Sequence, residues 1–87
     1  IQGEAYMDVE AGMLARATAG HDKDCIYVII SVNDEYVYLA DGKIRPVCHP
    51  KKKNRKHVQP IACVHCDSVT DDMVIRKTVK EFLKENN

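Results

Sequence analysis

Residues 25–47 run CIYVIISVNDEYVYLADGKIRPV, and their periodicity decides the fold. In CIYVIISV, Ile26, Val28, Ile30 and Val32 alternate with Cys25, Tyr27, Ile29 and Ser31, a period of two in β-branched residues that marks a strand. YVYLA then sets Val37 and Leu39 on one side and Tyr36 and Tyr38 on the other. The intervening NDE is short enough to join the two as a hairpin. Asp41-Gly42 is a further hairpin signal, so KIRPV at 43–47 is expected as a third antiparallel strand.

Working outward, MLARATA at 13–19 is expected as a strand with small residues on one face, and PIACVHC at 60–66 as a last strand. Turn chemistry in AGHDKD at 19–24 and prolines at 46, 50 and 60 keep these segments short. Five short strands leave few ways to hide sheet edges, and closure is the simplest. The expected fold is therefore mainly β, a small SH3-like barrel of about five strands over residues 7–69, with an OB-fold as the rival.

From Thr70 the period changes. TDDMVIRKTVKEFLKEN places Ile75, Val79 and Phe82 on one helical face with Leu83 beside them. Thr70 is the expected N-cap, Asp71 and Asp72 suit the positive helix end, and Val69 with Val74 would form a hydrophobic staple. Residues 70–87 are thus expected to form a C-terminal helix packed on the barrel.

With 87 residues and 45% apolar content, the chain suits one folded domain and is not disordered in composition. The opening IQGEAY, residues 1–6, precedes Met7 and is expected to be a cloning remnant. CIYVII is too short to span a bilayer, and no secretory leader pattern opens the sequence, which points to a cytoplasmic, reducing setting with free thiols rather than disulfides. A monomer without membrane attachment is expected.

The net charge is zero, with 13 basic and 13 acidic residues, yet the charge is segregated. Between residues 43 and 58 lie Lys43, Arg45, Lys51, Lys52, Lys53, Arg55 and Lys56, and no acid. Clustered cations attract phosphates and release counterions, while an acidic remainder discourages adhesion elsewhere. The expected partner is a nucleic acid. Its binding residues would be Lys51, Lys52, Lys53, Arg55 and Lys56, flanked by Lys23, Lys43 and Arg45, with Asn54 and His57 giving orientation. Tyr27, Tyr36 and Tyr38 are candidate stacking platforms, and Arg76, Lys80 and Lys84 form an i, i+4 stripe that would extend the basic face. The plainer alternatives are a solvated loop at 49–57 and a nuclear import signal in PKKKNRK.

GMLARATAGHDKDCIYVIISVNDEYVYLADGKIRPVCHPKKKNRKHVQ, residues 12–59, resembles the bacterial KOW-domain RNA-binding proteins related to eukaryotic-type large-subunit ribosomal proteins. AGHDKD, YLADGK and PKKKNRKH carry the resemblance by their order and spacing. It implies an SH3-like barrel that binds RNA, ribosomal RNA above all, in a ribosomal or translation-related setting where ribosomal proteins are further partners. The family's motif loop falls on Gly20, Asp22 and Lys23, and its basic segment on Lys51 through His57. The general KOW pattern has glycine after the lysine and again three residues later, where this chain has Asp24 and Tyr27.

CVHC at 63–66 is half of a zinc site, which Cys48, His49, His57 or His65 would complete. On a regular strand, however, Cys63 and Cys66 point to opposite faces, so no metal or other cofactor is expected. No paired carboxylates, phosphate-cradling loop or triad occurs, and the chain is not expected to be an enzyme. Besides RNA binding, two alternatives remain: a protein-interaction module that docks an acidic segment, and a small zinc-binding module.

Overall fold

The computed structural model describes residues 9–85. The segment at 1–6, expected to be a remnant, lies outside the described residues. Five strands and one helix follow in order: β1 (Met13–Ala17), β2 (Ile26–Val32), β3 (Tyr36–Ala40), β4 (Lys51–Asn54), β5 (Val58–His65) and α1 (Asp72–Glu85). All neighbours in the sheet are antiparallel, in the order β4-β3-β2-β1-β5.

The two outer strands, β4 and β5, are joined by a single 3-10 turn, Arg55–His57. Three residues cannot cross a flat five-stranded sheet, whose outer strands lie roughly 19 Å apart at the usual strand spacing, so the sheet rolls until its edges converge at that end. Among the described residues no ladder joins β4 to β5. The expected barrel is therefore a rolled sheet left unsealed along one seam.

Each face carries a core cluster. The inner face collects Ala15, Ala17, Tyr27, Ile29, Val37, Leu39 and Val58. The outer face puts Leu14, Ile26, Val28 and Ala40 under Ile75, Val79 and Phe82 of α1. A bulge between Ile29 and Ser31 inserts one residue into β2, which reverses the alternation beyond it. Val32 therefore packs on the inner face while Ile26, Val28 and Ile30 lie with the helix; a strict period of two had placed all four together.

KIRPV does not form a strand. The Asp41 carboxylate accepts from the amides of Lys43 (2.9 Å) and Arg45 (2.8 Å), closing a side-chain turn that competes with a ladder. His49 N then donates to Pro46 O. Two successive turns thus occupy residues 41–49, and the free edge of β3 pairs with Lys51–Asn54 instead. The basic run is an edge strand, where solvated lysines are well tolerated.

Helix α1 begins one residue later than expected. Asp71, not Thr70, is the N-cap: its Oδ1 accepts from Met73 N (2.9 Å) and Val74 N (3.4 Å), because a carboxylate at that position also suits the helix dipole. Thr70 bonds Ser68 instead. Val69 and Val74 both flank the core, while Leu83 is 49% exposed. No described helix is long and apolar enough to cross a membrane.

The 41–45 turn packs directly on the first turn of α1. Gly42 has φ 78°, and a Cβ there would run into Asp72 O and come within 2.8 Å of Arg76 N; Val47 N also donates to Asp72 Oδ1 (2.8 Å). Glycine is required both for its left-handed backbone and for this close approach.

Candidate nucleic-acid interface

Because β4 is a strand, its basic residues alternate between two environments. Lys51 and Lys53 stand opposite Leu39 and Val37, on the inner face. Lys52 and Asn54 stand opposite Tyr38 and Tyr36, on the outer face.

The inward pair closes on Asp22. Lys53 Nζ donates to Asp22 Oδ1 (2.9 Å) and to Ala19 O (2.9 Å), with only 10% of its side chain exposed. Lys51 Nζ lies 3.6 Å from Asp22 Oδ2, and Tyr27 donates its hydroxyl to the same oxygen (3.3 Å). Burial opposes the charge on Asp22, but the bond from Lys53, a backbone amide and the charges of Lys51 and Lys53 outweigh it, so the carboxyl is held below its ordinary value. Tyr27 is buried in the inner core, and burial first, then the Asp22 charge, raises its hydroxyl above the ordinary phenol value. Tyr27 is therefore no stacking platform.

The outward side differs. Lys52 is exposed, and its ammonium lies 4.2 Å from the centroid of the half-buried Tyr36 ring; Tyr38 is half-buried on the same face. Helix α1 covers the outer face at Val28 and Ala40, which lie further along the sheet from these tyrosines. In the turn that follows, Lys56 and His57 are exposed. Asn54 accepts from Lys56 N (2.9 Å) as the turn's cap, and Arg55 donates from Nη1 to Asn33 O (3.2 Å). At the opposite end of β4 come the exposed Lys43 and half-buried Arg45 of the 41–45 turn, and in the 20–24 loop Lys23 is exposed.

The ten residues singled out from sequence thus sort into three groups. Lys53 and Asn54 hold the fold, and Arg55 and Lys51 are partly engaged. Lys23, Lys43, Arg45, Lys52, Lys56 and His57 have no side-chain bond or ion pair among the described residues beyond the Lys52–Tyr36 contact. Asp22 is the residue whose role sequence reasoning missed: its partners lie 29 and 31 positions away, and nothing local in AGHDKD marks it as their counterion.

Cys66 is buried, with Sγ donating to Ser68 O (3.1 Å) and near Thr78 Oγ1 (3.4 Å), while Cys63 is exposed on β5. Among the described residues no group of three or more His, Cys, Asp or Glu gathers as a metal site. No protein-family model and no curated protein sequence matches the chain.

Proposed function

We propose that this protein binds RNA through the edge strand β4 and the turn that follows it. One observation carries the proposal: β4 presents Lys52 beside Tyr36 on an open face, continuous with the exposed Lys56 and His57. Cations next to partly exposed aromatic rings suit phosphates together with unstacked bases. Lys43 and Arg45 at one end of β4 and Arg55–His57 at the other extend the charge along a strand of about 13 Å, and no acid intervenes in residues 43–58.

The resemblance to KOW-domain RNA-binding proteins gains support from one detail. The glycine of the KOW pattern falls on Asp24, and Asp24 holds φ 74°, the left-handed conformation that glycine favours. A ribosomal or translation-associated RNA is accordingly the proposed target, met in the cytoplasm by a monomer that binds and does not catalyse.

The test is binding of a labelled, structured ribosomal RNA fragment across a salt series, for wild type and for a variant with Lys23, Lys43, Lys52 and Lys56 changed to alanine. Each lost phosphate contact flattens the plot of log affinity against log salt by about 0.7–0.9, so the expected difference is about 3. Equal slopes, or loss of binding to excess acidic peptide but not to excess unrelated RNA, would overturn the proposal.

A further inference from the structure

A groove of about 460 Å³ opens where the 41–45 turn, the start of β2, the start of β4 and α1 meet. Three large apolar side chains are conspicuously exposed among the described residues, and two of them, Ile44 at 79% and Leu83 at 49%, line this groove. The buried Ile26 and Val79 line it as well.

The polar groups at the rim are equally distinctive. Arg45 lines the groove with no side-chain bond or ion pair among the described residues, and Lys51 has only the 3.6 Å contact to Asp22. Asp24 is likewise without a side-chain partner among the described residues, and Asp41 uses Oδ1 for two backbone amides, leaving Oδ2 open.

An occupant must therefore combine an apolar body, an anionic group and hydrogen-bond donors. A lipid tail or an apolar side chain would leave two cations and two carboxylates unmatched, and a free phosphate would leave Ile44 and Leu83 in water. A nucleotide meets all three demands. On the strength of the RNA-binding proposal above, we infer that the groove takes one unstacked nucleotide of the bound RNA. Its base lies between Ile44 and Leu83, its phosphate faces Arg45 and Lys51, and its amino and hydroxyl donors face Asp24 and Asp41. Adenine, cytosine and guanine carry an amino donor and uracil does not, so the groove favours the first three.

Cys25 is exposed and lines the same groove, which makes it a built-in reporter. The experiment uses the full chain with the exposed Cys48 and Cys63 changed to serine, leaving Cys25 and the buried Cys66. Alkylation of Cys25 is followed while RNA binding is read by anisotropy in the same sample, with AMP, UMP and inorganic phosphate as separate probes. Bound RNA is expected to slow alkylation by about tenfold at ten times its Kd, and AMP to protect more than UMP. Ile44→Ser is expected to weaken RNA binding by about tenfold with its salt slope unchanged. RNA that binds with its salt dependence intact while Cys25 reacts at the free rate overturns the groove alone. Failure of RNA to bind, with AMP still protecting, overturns the RNA proposal and keeps the groove. Protection by phosphate equal to that by AMP, or by an acidic peptide in place of either nucleotide, overturns the nucleotide assignment.

Discussion

Lys52 and Lys53 are neighbours with the same side chain, yet the alternation of β4 gives them separable roles, and Lys53→Met separates them best. Methionine keeps most of the aliphatic stem and removes the ammonium that bonds Asp22 and Ala19 O, both at 2.9 Å. A hydrogen bond to a charged group contributes about 1.5–3 kcal/mol, and a carbonyl left unsatisfied adds to the loss. Lys51, 3.6 Å from Asp22, remains as a partial counterion and limits the damage. The expected destabilisation is about 2 kcal/mol, which for a domain of this size lowers Tm by about 8–16 °C. By contrast, Lys52→Ala loses an exposed cation–π contact of about 0.5–1 kcal/mol, so its Tm falls far less. The assay pairs urea or thermal unfolding with the RNA salt series. Lys53→Met should leave the salt slope within error of wild type when measured well below its Tm, whereas Lys52→Ala should flatten it by about 0.7–0.9. A Lys53→Met protein as stable as wild type, or one that flattens the slope as much as Lys52→Ala, would refute the division of β4 into a structural and a binding side.

Asp22→Asn tests the same network through pH. Its folded carboxyl is held low, so ionised Asp22 stabilises the fold above its unfolded value of about 3.9, and that contribution disappears as pH falls through the lower folded value; urea midpoints of wild type and variant should differ most above about pH 5 and converge in acid. Gly42→Ala combines a left-handed backbone with a collision against the α1 backbone and should cost more than about 2 kcal/mol in chemical unfolding, whereas Gly20→Ala, whose Cβ meets only the side-chain ends of Asp22 and Lys53, should cost about 1–2 kcal/mol. Phe82→Ala removes the largest side chain that α1 buries and should cost about 3–5 kcal/mol, against less than about 1 kcal/mol for exposed Lys80→Ala, as read by thermal unfolding.

The periodicity of 25–40, the small-residue face of 13–17 and the Ile75, Val79, Phe82 stripe are local properties of the chain, and each appears in the structure as an element of the expected type. They are legible because a strand sends successive side chains to opposite faces and a helix aligns every third or fourth on one face, whatever lies against them. Which segment pairs with the open edge of β3 was not local. KIRPV has the better strand composition, but the Asp41 carboxylate draws its amides into a turn, and KKKN takes the edge because Asp22, brought near by the rolling of the sheet, pairs with its inward Lys53 and partly balances Lys51. Charge in residues 43–58 was likewise countable from sequence, whereas its division was not. Lys53 faces inward and Lys52 outward only because β3 fixes the register of β4. Composition thus determined that this chain carries a concentrated positive segment; tertiary pairing alone decided which of those charges remain free to meet a partner, since only the folded sheet supplies the internal counterion.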